Sequence, residues 1–274
     1  MSTHNLINKP SINNLQSKKL KQQKLSMLTC YDFTFAQIMN ETAIDMLLVG
    51  DSGVMTQLGY PDTTHATIDM MCFMTQAVVK GAPDKFIIAD MPFLAQRQGI
   101  AHAIRCADRL IKCGANAIKI EGVNGHQEVI AHIIESGIPV MGHIGLTPQS
   151  VHSLGYKVQG KDQEAAKNLK EQALQLQEIG CFSLVMECVP SELAKEISQM
   201  LSIPVIGIGA GNDADGQVLV LQDMLGLNSH LQPKFVRHFL NGFNDIKAAF
   251  DAYHHAVQSG DYPNKQESYD IKIA

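Results

Sequence analysis

Met46-Leu47-Leu48-Val49-Gly50-Asp51, Phe86-Ile87-Ile88-Ala89-Asp90, Ala117-Ile118-Lys119-Ile120-Glu121 and Ser183-Leu184-Val185-Met186-Glu187 share one pattern: a short, β-prone apolar run that closes on a charge. Strands buried on both faces of a parallel sheet read as continuous apolar runs, and such a run tolerates a charge only with a partner or at its end. Four strands of one sheet, each presenting an acid or a lysine at its C-terminal end, describe a polar site ringed by apolar walls. That layout is the one a catalytic (βα)8 TIM barrel uses.

Outward from these runs, strand-like and helix-like segments alternate. Strands are expected at 27–30, 46–49, 86–89, 117–120, 139–142, 183–186, 204–208 and 218–221. Ile100, Ala103, Ile104, Ala107, Leu110 and Ile111 recur at helical spacing, with Gly114 as the stop. Asp162 is of N-cap type ahead of Ala166, Leu169, Ala173 and Leu176, and Gly180 closes that helix. Pro190 starts another, carrying Leu193, Ile197 and Met200. Eight strand candidates alternating with helices favour an α/β barrel over 25–262, with a polar N-terminal extension at 1–24 and a C-terminal tail at 263–274.

A doubly wound sheet is the rival, and Gly207-Ile208-Gly209-Ala210-Gly211 is the piece that would support it. It follows the seventh strand rather than the first and lacks the dinucleotide spacing, so it reads as a tight turn or a close approach to a ligand. The stretches 51–66 and 143–161 are long for turns and follow strands, which marks them as binding loops.

The chain has 274 residues, 45% hydrophobic and 18% charged, which suits one barrel-sized domain. A net charge of -5 and the lack of a basic stripe argue against nucleic acid as a partner. No stretch approaches the roughly 20 apolar residues of a membrane span. The extension clusters Lys18, Lys19, Lys21 and Lys24 but has no arginine and no apolar segment of signal type, so a solvated arm or short helix in a cytoplasmic protein is expected. Six cysteines without paired spacing read as buried thiols of a reducing compartment.

Asp51 and Asp90, at the ends of successive strands, suit one hard cation completed by water and substrate oxygens, with Glu121 one strand further. The plainer alternative is that each caps the helix or turn that follows it. Lys119 and Glu121 are two residues apart and share a face, which is the lumen if Ile118 and Ile120 face the helices. A lysine there forms a Schiff base, binds an anionic oxygen, or makes a structural ion pair. Glu187 is a carboxyl ending an apolar run, suited to a general base or to the start of the next helix. His143, flanked by Gly142 and Gly145, is a substrate contact or a structural histidine, and His65 lies in a loop that reaches toward the same face. No histidine spacing suits zinc.

Leu28-Thr29-Cys30-Tyr31-Asp32, Val49-Gly50-Asp51-Ser52, Ala89-Asp90-Met91-Pro92-Phe93, Lys119-Ile120-Glu121-Gly122 and the run from Gly142 to Ser150 occur in the order of one known family. So do Gly155-Tyr156-Lys157-Val158-Gln159-Gly160, Glu187-Cys188-Val189-Pro190 and the segment from Ile203 to Gly211. In these the chain resembles the ketopantoate hydroxymethyltransferase family. The resemblance implies a (βα)8 barrel, Mg2+, and 5,10-methylenetetrahydrofolate as cosubstrate. It implies Asp51 and Asp90 as metal ligands that also meet the substrate, Glu121 completing or supporting that site, Ser52 and Lys119 as substrate contacts, and Glu187 as proton acceptor. It also implies a homo-oligomer, typically a decamer. One departure stands out: Gly53-Val54 replaces the family's usual Leu-Gly, and Asp62-Thr63-Thr64-His65 replaces its Ser-Thr-Leu-Pro. Two alternatives stay open beside this: a magnesium-dependent barrel acting on other 2-oxo acids without folate, and a catalytically silent metabolite-binding barrel.

Overall fold

The computed structural model describes residues 10–228 and 233–269; the first nine residues of the extension and the last five of the tail lie outside these. Eight strands form a closed barrel in sequence order: β1 Leu25–Thr29, β2 Met46–Val49, β3 Phe86–Asp90, β4 Ala117–Glu121, β5 Val140–Gly145, β6 Ser183–Glu187, β7 Val205–Ile208 and β8 Gly216–Leu219. Every neighbouring pair is parallel, and β8 closes onto β1. Parallel strands require a crossover between them, and most of the crossovers here are helical. The described residues divide into two compact units, one through Leu221 that contains the whole barrel and one from Gln222.

Side-chain alternation on these strands decides where the charges point. Met46, Leu48, Phe86, Ile88, Ala117, Met141, Val185, Ile206 and Val218 belong to one apolar cluster in the barrel interior. Because side chains alternate faces, Ile88 inside puts Asp90 inside, and Ala117 inside puts Lys119 and Glu121 inside. By the same rule, Met141 brings in His143 and Val185 brings in Glu187. Ile118 and Ile120, of the opposite parity, are fully buried beneath the helices. The lumen is therefore apolar at the N-terminal end and charged at the C-terminal end.

The surrounding helices form where the spacing predicts. Helix Ile100–Lys112 buries Ala103, Cys106, Ala107 and Leu110. Helix Gln163–Ile179 buries Leu169, Ala173 and Leu176; Asp162 accepts the Ala165 N–H at its start and Gly180 adopts φ +104 at its end. The two long stretches are not bare loops. The first holds helix Gly53–Leu58 and a 3-10 turn at Thr63–His65, and the second holds a 3-10 turn at Pro148–Ser150 and helix Val151–Leu154. The glycine-rich piece after β7 is a packed turn: a Cβ on Gly211 would lie 2.6 Å from Ser191 Cβ.

Among the described residues, the N-terminal extension packs a helix against the barrel floor. Helix Ile12–Leu20 starts with a capping box at Ser11 and Asn14. Its one buried residue, Leu15, joins the interior cluster beside Leu25 and Met27. The lysines are anchors: Lys18 pairs with Asp45, Lys19 with Asp215 at 2.6 Å, and Lys24 donates to the Ala214 carbonyl at 2.6 Å.

Candidate active site

Strand register sets the charged residues side by side. Asp90 is paired with Lys119 across β3 and β4, and Glu121 with His143 across β4 and β5. Lys119 Nζ lies 3.2 Å from Asp90 Oδ1, 3.6 Å from Glu121 Oε1 and 3.2 Å from His143 Nδ1. The His143 ring bridges two acids, with Nδ1 3.3 Å from Glu121 Oε1 and Nε2 3.4 Å from Glu187 Oε2. Asp51, one residue beyond the Gly50 that ends β2's run, donates its backbone N–H to Asp90 Oδ2 at 3.0 Å. All of these except Glu187 are buried; Glu187 is 17% exposed at its side chain and faces the opening. They line one cavity of about 100 Å³ with Ser52, Thr29 and an apolar sector of Val185, Ile208 and Val218. That space admits a small acid, not a nucleotide.

Burial raises the Asp51 carboxyl well above the usual carboxylate range, and Asp90 and Glu121 push it further. Asp90 is also raised by burial, with Lys119 opposing. Burial pulls Lys119 down, but Asp90, Glu121 and Asp51 more than offset it and hold the ammonium above its ordinary value. A Schiff base needs a neutral amine, so this setting favours a fixed cation. Burial acts to raise Glu121, yet Lys119 and His143 hold it below its ordinary value. His143 is lowered by burial and by Lys119, but its contacts to Glu121 and Glu187 leave it raised overall.

Neither aspartate caps a helix. Ser52 occupies the N-cap of helix Gly53–Leu58, and Pro190 that of helix Ser191–Met200, so Glu187 is not a cap either. Ser52 Oγ lies 2.9 Å from the buried Tyr31 hydroxyl, which fixes its direction toward the cavity. His65 does not reach the site. It stacks on Tyr60 at 4.9 Å and sits 3.1 Å from Asp62 Oδ1, as part of the 3-10 turn. Four of the six thiols are buried as expected, while Cys113 and Cys188 are partly exposed; burial pushes Cys30 and Cys181 up to about 12.

Two residues of the site were missed by sequence reasoning. Gln149 is buried and ties the carboxylates together: Nε2 donates to Asp51 Oδ2 at 2.8 Å and to the Met91 carbonyl at 2.9 Å, and its N–H donates to Glu121 Oε2 at 3.0 Å. Thr63 lines the cavity with a buried Oγ1 that has no hydrogen-bond partner. Its loop is the one that departs from the family pattern. Gly53 in that loop has a packing reason, since a Cβ there would sit 2.6 Å from Met74 Sδ and 2.7 Å from Tyr31 Cδ1.

The donor set suits a divalent cation. Among the described residues no three His, Cys, Asp or Glu side chains form a ready cage. Magnesium does not need one, because it keeps several waters and takes one or two carboxylates plus substrate oxygens. Asp90 Oδ1 is buried and makes no hydrogen bond, having only its ion pair with Lys119. Asp51 and Asp90 thus offer two hard oxygen donors side by side, and they fit.

Comparison with known proteins identifies the family. The family model for ketopantoate hydroxymethyltransferase matches residues 9–265. The 3-methyl-2-oxobutanoate hydroxymethyltransferase of Bdellovibrio bacteriovorus is 52% identical over 260 residues, covering 94% of this chain and 99% of that protein. That of Coxiella burnetii is 50% identical, covering 91% and 94%. Among solved structures, a phosphoenolpyruvate phosphomutase from Streptomyces platensis superposes with a TM-score of 0.63 at 11% identity, covering 92% of this chain and 88% of that one. A phosphonopyruvate hydrolase in complex with oxalate and Mg++ superposes with a TM-score of 0.62 at 9% identity, covering 93% and 92%. The structural likenesses speak to the barrel alone, whereas the sequence matches span nearly the whole chain. The chain belongs to the ketopantoate hydroxymethyltransferase family of transferases.

Proposed function

We propose that this chain transfers a hydroxymethyl group from 5,10-methylenetetrahydrofolate to 3-methyl-2-oxobutanoate, giving 2-dehydropantoate, with Mg2+ held by Asp51 and Asp90 and supported by Glu121. The observation that carries this reading is the convergence of a carboxylate pair, a fixed ammonium and a half-open glutamate on one cavity of small-acid size.

Asp51 and Asp90 would hold a magnesium ion, which would supply Lewis-acid stabilisation of negative charge on the substrate's keto oxygen. The Lys119 ammonium and the Ser52 hydroxyl bind the oxygens on which charge grows as the enolate forms. Glu187, at the mouth of the cavity, takes the C3 proton, with His143 Nε2 3.4 Å from its Oε2. The two C–N bonds at the folate's methylene carbon break in turn with their electron pairs going to nitrogen, the first leaving an iminium and the second breaking as water adds there and releases the carbon as formaldehyde. The enolate carbon then bonds to that carbon, whose oxygen takes up a proton. The sum is methylenetetrahydrofolate, 2-oxo acid and water to tetrahydrofolate and 2-dehydropantoate.

The C3 hydrogen reports on this sequence without the folate. Wild type is expected to exchange C3 deuterium with solvent when magnesium is present, and to form product once methylenetetrahydrofolate is added. Glu187→Gln should keep substrate binding and lose exchange by roughly 100-fold or more, the usual range for a positioned base. Normal exchange in Glu187→Gln removes it from that role.

A further inference from the structure

A second cavity borders the site through Glu121. It measures about 380 Å³ and is lined by Phe93, Leu94, Gln96, Arg97, Glu121, Gln149 and Ser150. A neighbouring cavity of about 320 Å³, rich in side-chain amides such as Asn124 and Asn168, is lined by Arg97 as well. The two therefore share Arg97 as a wall. Glu121 is also a wall of the substrate cavity, so the pair leads outward from the reacting centre.

Three features of this cleft are unused by the chemistry above. Gln96 is only 5% exposed, yet its Oε1 has no hydrogen-bond partner. A buried carbonyl oxygen left this way calls for a donor from outside the chain. The backbone N–H of Arg97 donates to the Leu94 carbonyl, but its guanidinium makes no hydrogen bond or ion pair among the described residues, so its charge is available to an anion. Leu94 adopts φ +61, a left-handed conformation costly for a leucine, and with Phe93 forms a partly exposed apolar rim. A ligand that satisfies all three brings a hydrogen-bond donor, an apolar body and an anionic group, and a folate carries each of these.

We propose that this double cleft is the seat of the folate cosubstrate. Its pteridine lies between the Phe93–Leu94 rim and Gln96 Oε1, beside Glu121. Its benzoylglutamate tail runs past Arg97 into the amide-lined cavity. The assignment rests on the folate-donor reading of the site, and it places the methylene-bearing nitrogens on the side of the cleft that borders the substrate cavity.

The test separates the two substrates in the full-length enzyme. Gln96→Ala and Arg97→Ala are each expected to raise KM for methylenetetrahydrofolate at least roughly tenfold, the scale of a lost hydrogen bond to a buried or charged partner. Both should leave folate-independent C3 deuterium exchange and KM for 3-methyl-2-oxobutanoate at wild-type values, which also shows that they fold. Arg97→Lys should recover part of the affinity. Calorimetry with tetrahydrofolate should show the same order of binding. If wild type turns over and both variants keep the wild-type folate KM, the cleft assignment is overturned while the donor reading stands. If wild type exchanges deuterium but makes no product from the folate, the donor reading fails, and the cleft assignment fails with it.

Discussion

Gln149 shows how a residue outside the charged set can govern it. Its amide nitrogen engages one oxygen of Asp51, and its backbone N–H engages one oxygen of Glu121. Two buried acids that would otherwise repel are each given a fixed partner, and the side chain that fixes them carries no charge. Gln149→Ala is expected to leave an unpaired buried carboxylate oxygen, lower stability by about 1–3 kcal/mol, and weaken Mg2+ binding several-fold in calorimetry. Wild-type magnesium affinity in that variant would show that the amide only packs. Lys119 belongs to the same account. Because three acids surround it, it is a fixed positive charge and not a nucleophile.

At the scale of elements, each strand separates stability from function along its own length. The first residues of β3 and β4 fill the apolar interior and residues at their C-terminal ends enter the site, so these strands contribute Phe86, Ile88 and Ala117 to one end of the lumen and Asp90, Lys119 and Glu121 to the other. The helix Ile12–Leu20 acts wholly on the apolar end. Leu15→Ala should cost about 2–5 kcal/mol, as for other buried leucines, seen as a lower thermal midpoint. Deuterium exchange well below that midpoint should be unchanged. A loss of exchange with no loss of stability would show that the floor of the barrel reaches the catalytic end. The lysines of this segment look from composition like a solvated cluster; three of them are instead anchors to the barrel's N-terminal end.

For the molecule as a whole, we propose a homo-oligomer. In helix Gly242–Ser259, Phe243, Ile246, Phe250, Tyr253 and Val257 recur at alternating spacings of three and four, and all five are exposed, from 40% to 69%. That is the spacing of a helix-packing seam, and an apolar row of this kind seeks another surface. A second copy of the chain, which carries the same row, supplies one by symmetry. Sedimentation should give a mass above 30.0 kDa, and Phe250→Asp with Tyr253→Asp should lower it. A monomeric wild type rules the proposal out. Among the described residues no helix is long and apolar enough to cross a membrane.

The amino-acid sequence by itself determined the barrel, because strand burial and helix periodicity are local signals. Runs such as Phe86–Asp90 and Ala117–Glu121 carry both their secondary structure and the facing of their charges in a period of two. Asp51, Asp90, Lys119, Glu121, His143 and Glu187 were legible for that reason. Only the tertiary structure decided how they pair and what else joins them. Gln149 meets Asp51 across 98 positions, and Lys19 meets Asp215 across 196. Neither contact leaves a periodic trace, since an amide in a turn and a lysine in a polar arm look like ordinary surface. The His143 bridge, the orphaned oxygens of Thr63 and Gln96, and the free guanidinium of Arg97 arise in the same way: closing the barrel brings residues together by register and loop path, which no local pattern encodes.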